Sequence, residues 1–341
     1  MHSLGTRVLL VTERDTITGK LKSGPGLRIK YGVPGYTYEI MTDKFSQSNY
    51  IRNITFNKMT SFYMLVKALF LRSQVVNTDA KFIHSFFWTF YRYRRPWIHE
   101  NDQSPSQAIM DYMKIKNGFG EKVASMLGAV LNEAEFIITW SQWAGRGFRN
   151  DGVGKEKIKI IPLPYETKPF KSEHDGINVL FIGRDLKRKG GDSALKIMER
   201  ISRERKGVRM LYVGKGVPDK HEWLKYYSSV SSAFLDNRIF PIADIFLFPT
   251  REEAYGIAAL EALAHGVPVV SSRAGALGEI IDDGVNGFSG SSDDALHDRL
   301  LKLIDSDSLR SDMSKRALEK VSTAHDPVKI SKMVKEVYDK I

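Results

Sequence analysis

Short apolar runs alternate with amphipathic segments along all 341 residues. In the first half such runs predict strands at 7–13, 36–42, 81–84, 96–99, 135–141 and 157–162, with helical periodicity between them, notably over 59–73 and 106–132. In the second half they predict strands at 178–183, 209–214, 244–249 and 267–272, each followed by a loop or helix. The strands are continuous apolar runs, the pattern of parallel sheets covered on both faces. The segment LPYETKPFKSEHDG, residues 163–176, is Pro-rich and charged with no apolar period, and reads as a linker. The expected organisation is a domain over 1–162, the linker 163–176, a second domain over 177–325 and a helix in 326–341 that packs back on the first domain. Two doubly wound parallel-sheet α/β domains facing each other across a cleft follow from this.

The most informative stretch is FPTREEAYGIAALEALAHGVPVVSS, which carries Glu253 and Glu261 eight positions apart. Its pattern predicts a strand end at 245–248, a polar loop, a helix over 256–265 and a buried strand at 267–271. That helix is apolar on every face except at Glu261, so its carboxylate is costly unless something satisfies it. The loop before the helix is where an open parallel sheet delivers ligands, and a helix start offers free N–H groups and a positive dipole end to an anion. Two carboxylates beside a phosphate-type site suggest hydroxyl groups as partners, and a nucleotide sugar has both phosphates and hydroxyls. The competing reading makes Glu253 a solvated loop charge and lets a neighbouring element satisfy Glu261.

Composition narrows the class. With 42% hydrophobic residues and no cysteine, the chain suits two globular domains and excludes disulfide and thiolate chemistry. The longest apolar stretch, residues 62–71, is broken by Lys67 and is too short to span a bilayer. The start lacks a signal-peptide layout, so a cytoplasmic enzyme is expected. Charge is uneven: residues 1–165 hold 23 basic and 13 acidic side chains, and residues 166–341 hold 28 and 27. Essentially the whole net charge of +11 lies in the first half. An anionic partner is expected there, either an anionic glycan or lipid-linked acceptor or the inner face of a membrane, unless the basic residues serve solubility alone.

The first strand of the second domain ends in FIGRDLKRKGGDSALKIMER, where Arg184 and Lys189 lie on the loop before a helix that starts near Asp192. Two cations converging there would neutralise a diphosphate leaving group. Lys187 and Arg188 share the loop, and a solvated charge run is the bland alternative.

Together, GRDLKRKG and FPTREEAYGIAALEALAHGVPVVSS resemble the second domain of the family 4 retaining glycosyltransferases of the GT-B fold. Gly183, Arg184, Lys189 and Gly190 match the family's Gly-Arg-x4-Lys-Gly loop. Glu253 and Glu261, with Tyr255 and Gly256 between them, match its two glutamates, and Ala274 to Gly290 is similar to its later Gly-rich segment. The resemblance is specific over residues 178–290 and looser elsewhere. It implies two Rossmann-like domains and transfer of a sugar from a nucleotide diphosphate sugar, here with a lean to UDP, with the anomeric configuration kept. By the same resemblance Arg184 and Lys189 hold the diphosphate, and Glu261 holds the ribose. Glu253 contacts the donor sugar, and the backbone of Tyr255, Gly256 and Ile257 caps the diphosphate and sugar. Ala254 replaces the family's usual glycine, and Glu252 competes with Glu253, although only Glu253 keeps the family spacing.

In the first domain, Gly24 and Gly26 of SGPGLRIKYG are candidates for close backbone approach to the donor. By resemblance His99 lies beside the donor sugar and acceptor, and His84 shapes the nearby loop. The segment SFFWTFYRYRRPW predicts a packed helix with Phe86 and Phe90 inward, leaving Arg92, Arg94 and Arg95 as contacts for an anionic acceptor. Asp305-Ser306-Asp307 spells the Asp-x-Asp of metal-dependent sugar transferases but sits between two late helices and reads as a helix cap. No other spacing suggests a metal, so metal-independent and cofactor-free chemistry is expected. Three alternatives stay open: a nucleotide-sugar epimerase, an inactive nucleotide-sugar binding module, and a nucleic-acid binder, which explains the basic half but not the two glutamates.

Overall fold

The computed structural model describes residues 5–14, 20–42, 67, 70–216 and 220–341. The chain forms two compact units, Met1–Pro164 with Pro327–Ile341, and Tyr165–Asp326.

In the first unit, β1 (Thr6–Thr12), α1 (Ser23–Tyr31), β2 (Tyr36–Thr42), β3 (Val75–Val76), β4 (Phe82–Phe86), β5 (Arg92–Tyr93) and β6 (Trp97–Asn101) are followed by π-helical turns at Gln107–Tyr112. Then come α2 (Gly118–Leu131), β7 (Phe136–Thr139), α3 (Gln142–Asn150) and β8 (Ile158–Ile160). Six strands form one sheet in the order β2-β1-β4-β6-β7-β8, every neighbour parallel, while β3 pairs with β5 apart from it. Both β4 and β6 are buried along their whole length, polar residues included: His84 and Ser85 in β4, and His99, Glu100 and Asn101 in β6.

The faces of this sheet differ. On one, Leu9, Val11, Ile83, Trp97 and Ile137 pack with Phe90 and the buried side of α2. On the other, His84 and Glu100 point toward α1 and the helix that resumes the unit at Pro327.

The second unit contains β9 (Ile177–Gly183), α4 (Gly191–Glu204), β10 (Val208–Gly214), β11 (Leu224–Tyr227), β12 (Ile245–Phe248), α5 (Ile257–Ala264) and β13 (Val269–Ser271). It ends with α6 (Leu277–Ile280), β14 (Gly287–Ser289), α7 (Asp293–Ile304) and α8 (Asp307–Ala324), after which α9 (Pro327–Tyr338) belongs to the first unit. The sheet order is β11-β10-β9-β12-β13-β14, the doubly wound arrangement, so the chain reverses its direction of winding between β9 and β12. Helix α4 buries Ala194, Ile197, Met198 and Ile201, an i, i+3, i+4, i+7 stripe, against the sheet core.

Several expectations change. The helix expected over 106–132 is broken: Lys114 has φ of 59°, and Asn117 starts α2 by accepting from the Gly120 N–H at 3.0 Å. Residues 85–97 are not a packed helix. They complete β4, turn at Phe87 with φ of 55° and form β5, because β4 and β6 each need those ends for the sheet. Phe86 and Phe90 are nonetheless buried and the three arginines exposed. The helix expected over 59–73 lies largely outside the described residues, where Lys67 and 70–73 are helical.

From Tyr165 onward the segment read as a linker is bonded to the second unit. Tyr165 N–H donates to His325 O at 2.8 Å, Lys168 N–H to Ala264 O at 2.7 Å and Ser172 N–H to Pro241 O at 2.9 Å.

Candidate functional site

The C-terminal ends of β9 and β12 flank the switch point, and the loops that leave them carry the sequence candidates. The two loops are stapled together by backbone. Arg251 N–H donates to Arg188 O at 2.8 Å, and the Thr250 hydroxyl donates to the same oxygen at 3.2 Å. Arg188 Nη1 donates to Glu252 O at 3.2 Å. Gly190, at φ of 71°, lies so close to the second loop that a Cβ there would fall 1.9 Å from Pro249 O. Only glycine fits that position.

The cations of the first loop separate by role. Lys187 and Arg251 both hold Asp192 in the first turn of α4, Arg251 in a fork at 2.7 and 3.2 Å. Burial would raise Asp192, but Arg251 and Lys187 outweigh it and bring its carboxyl down to about 2. Arg188 braces Asp185 and the second loop. Arg184 is exposed at the head of the loop. Lys189 is largely buried, stands 5.0 Å from the centre of the Phe248 ring and is ion-paired to Glu253. Burial lowers the pKa of its ammonium, with Glu253 acting in the opposite sense.

Beyond Glu253 the chain enters α5. Gly256, at φ of 106°, provides the helix N-cap without any side-chain cap, and no acidic residue occupies the first turn. Leu260 is bonded back to Gly256 O at 3.0 Å, so the preceding N–H groups, from Ile257 on, have no carbonyl in the helix to bond. Tyr255 is buried. This helix start is suited to an anion.

Glu261 sits one turn further along α5. Burial, and then the carboxylate of Asp236, push its carboxyl up to about 7, against the opposing effects of Lys168 and a hydrogen bond from Tyr165. Lys168 is itself bonded to Asp236 at 2.6 Å. Asp236 also lies 3.6 Å from His265, whose ring stacks on Phe240. Sequence reasoning missed Tyr165, Lys168 and Asp236, for which no periodicity or motif gives a signal.

The first-domain candidates have a different character. Glu100, fully buried, receives Arg28 Nε at 3.0 and 3.2 Å and Trp140 Nε1 at 2.6 Å, with His84 Nε2 3.1 Å away. Burial would raise Glu100, yet Arg28, His84 and Trp140 hold it below the ordinary carboxylate range. His84 Nδ1 meets the Tyr338 hydroxyl of α9 at 2.7 Å. Thus His84 is a tie between sheet and terminal helix.

His99 lies on the opposite face, bonded to the Ser85 hydroxyl at 3.0 Å and stacked on Phe90. It has no exposed surface, and burial pushes its imidazole down to about 3, so it is neutral at physiological pH. Gly24 and Gly26 open α1 instead of lying in a free loop. A Cβ at Gly24 would strike the Trp140 ring at 2.5 Å, a packing reason for that glycine, whereas a Cβ at Gly26 would meet nothing within 4 Å among the described residues. Arg92, Arg94 and Arg95 precede β6, at the edge of the sheet opposite the strand C-termini. Asp305 forks to Arg205 at 2.7 and 2.8 Å, and Ser306 caps α8. Among the described residues no group of three or more His, Asp or Glu could hold a metal, and no helix is long and apolar enough to cross a membrane.

Residues 165–320, just under half of the chain, match the family model described as "Glycosyl transferases group 1". An uncharacterised 41.2 kDa protein of the cps region of Klebsiella pneumoniae is 31% identical over 157 residues, 45% of this chain and 42% of that protein. The chain spans less than half the length of the curated relatives it matches. Sucrose-phosphate synthase from Thermosynechococcus elongatus is similar in structure, with a TM-score of 0.72 at 16% identity over 98% of each chain. HepE of Anabaena, in complex with UDP and glucose, has a TM-score of 0.70 at 15% identity over 98% of this chain and 100% of its own. At such identities the likeness concerns the fold, which is GT-B: two Rossmann-like parallel-sheet domains.

Proposed function

We propose that this protein is a retaining glycosyltransferase that moves a sugar from a nucleotide diphosphate sugar, with a lean to UDP-sugars, to an acceptor hydroxyl. One observation carries the reading. At the switch point of the second sheet, Lys189 and Glu253 stand beside an uncapped helix start, and that same helix carries Glu261, a half-buried carboxylate whose carboxyl stays raised despite a hydrogen bond from Tyr165. Phosphates suit the cation and helix start, and hydroxyls suit the carboxylates.

In this reading Arg184, Lys189 and the N–H groups around Tyr255, Gly256 and Ile257 stabilise charge developing on the departing diphosphate, the part a metal plays elsewhere. No metal or cofactor is required. Glu261 accepts from the ribose hydroxyls and Glu253 from the sugar. With the configuration kept, the departing diphosphate oxygen takes the acceptor proton on the face where the new bond forms. His99, wholly buried, is a positioning residue rather than a contact. Gly26, where an added Cβ would meet none of the described residues within 4 Å, is the better of the two first-domain glycines for close backbone approach.

The acceptor is proposed to be a glycan or a lipid-linked anion. The cps-region relative and the basic first half support this. Peripheral binding to an anionic cytoplasmic membrane face is part of the same proposal, with Arg92, Arg94 and Arg95 as its exposed cations; nucleic acid is not proposed as a partner.

A thermal-shift screen of nucleotide diphosphate sugars tests the donor reading, because a ligand that binds only the folded state raises its apparent stability. A concentration-dependent rise with at least one such sugar is expected, and no rise with UDP-, GDP- or ADP-sugars at millimolar concentration would remove the proposal. Analysis of that donor incubated alone separates transfer from epimerisation, which would return an epimer.

A further inference from the structure

We infer that Glu253 is also a built-in competitor for the diphosphate, one that favours the sugar-bearing donor over the free nucleoside diphosphate and so promotes product release. The inference rests on the donor-site reading above.

Its basis is the Lys189–Glu253 ion pair. Side-chain exposure is 17% for Lys189 and 12% for Glu253, so the two charges answer each other largely out of water. Neither partner is free to drift away. Lys189 is held by the Phe248 ring and by its own N–H, bonded to Asp185 O at 2.9 Å. Glu253 sits on a loop tied at Glu252 by Arg188 and Thr250, and at Ala254, whose carbonyl accepts from Ala276 N–H at 3.1 Å. In the free protein the cation best placed for the diphosphate is therefore already occupied by a carboxylate.

A diphosphate arriving at Lys189 must share the ammonium with Glu253 and meets a like charge at close range. When the donor carries its sugar, hydroxyl groups donate to Glu253 and give the carboxylate a new set of partners. After transfer the sugar is gone. Glu253 then reclaims Lys189 in direct competition with the diphosphate. The carboxylate thus acts oppositely on two ligands that share the same nucleotide.

Binding of a nucleoside diphosphate and of its sugar conjugate, measured by calorimetry on the full chain, tests this. The pair is taken from whichever of UDP, GDP and ADP binds, beginning with UDP and UDP-glucose. For Glu253→Gln the free diphosphate is expected to bind about tenfold tighter, and the sugar conjugate no tighter or more weakly. For Lys189→Ala the diphosphate binds more weakly, and in the double variant the gain from Glu253→Gln disappears. A second measurement needs no variant: wild-type protein binds the sugar conjugate at least as tightly as the more highly charged free diphosphate. Weaker or unchanged diphosphate binding by a folded Glu253→Gln protein overturns the inference and leaves the donor site standing. Failure of every diphosphate and sugar conjugate to bind wild type overturns the donor site itself, and this inference with it.

Discussion

Glu100 in the first unit is wholly buried and Glu261 in the second is half-buried, and their surroundings treat the two carboxylates in opposite ways. Glu100 is surrounded by donors from three elements: Arg28 of α1, Trp140 after β7 and His84 of β4. These outweigh the cost of burial and hold its carboxyl low. Burial and then another acid, Asp236, raise the Glu261 carboxyl to about 7, while Lys168, which opposes the rise, is bonded to that acid. A satisfied buried charge is a structural joint. One whose carboxyl is held high beside another acid, on a helix that opens onto an uncapped N-terminus, is suited to take further donors from outside the protein.

The largest expected effect breaks the first half of this comparison. Arg28→Ala leaves Glu100 buried without its main counter-charge and should destabilise the protein by about 3–5 kcal/mol, read as a lowered urea midpoint. A loss below about 1 kcal/mol would make the Glu100 network incidental. Next, Arg184→Ala and Lys189→Ala should each lower turnover by about two to three powers of ten on a cognate donor and acceptor, with little change in Tm for the exposed Arg184. Wild-type rates in both would end the assignment of developing charge to this loop.

Glu261→Gln should act in the opposite sense to Arg28→Ala on stability. In the unfolded chain Glu261 loses its proton near 4.5, in the folded protein near 7, so the penalty is absent below the lower value, grows between the two and is complete above 7. The variant should therefore be more stable than wild type at pH 8 by on the order of 1–3 kcal/mol, with the gain vanishing at pH 4, while its donor affinity falls. Equal stability across that range would show that Glu261 is satisfied in the free protein. The smallest effect expected is that of Tyr165→Phe. It removes one donor to Glu261, worth about 1 kcal/mol, and should shift the pH midpoint of donor binding upward. An unchanged midpoint would mean that Tyr165 is not a partner of the carboxylate.

The same contrast explains what the sequence could and could not reveal. That Lys189 and Glu253 come together was legible because short loops joined to buried strands fix their spacing, and Glu261 stood out as an acid inside an otherwise apolar helix. Most strands were legible as short apolar runs. By contrast β11 is half exposed and β14 has three residues, so neither leaves a run to recognise. Tyr165, Lys168 and Asp236 reach Glu261 from segments far away in sequence, and the first two lie in a segment whose Pro-rich composition resembles a linker. His99 shows the converse. Its place near a strand end looked like a site, but period-two alternation turns it into the core beside Phe90, and the motif could not register that.

The direct test of the central claim is proton linkage to donor binding. Calorimetric titration of UDP-glucose into wild type at pH 6.5, repeated in buffers of different ionisation enthalpy, should show a net release of protons as hydroxyl donors convert Glu261 to its carboxylate. That release should fade at pH 8.5, where the free protein is already ionised, and should be lost with weaker binding in Glu261→Gln. Binding with no proton release at pH 6.5, or unchanged affinity in Glu261→Gln, would contradict the account.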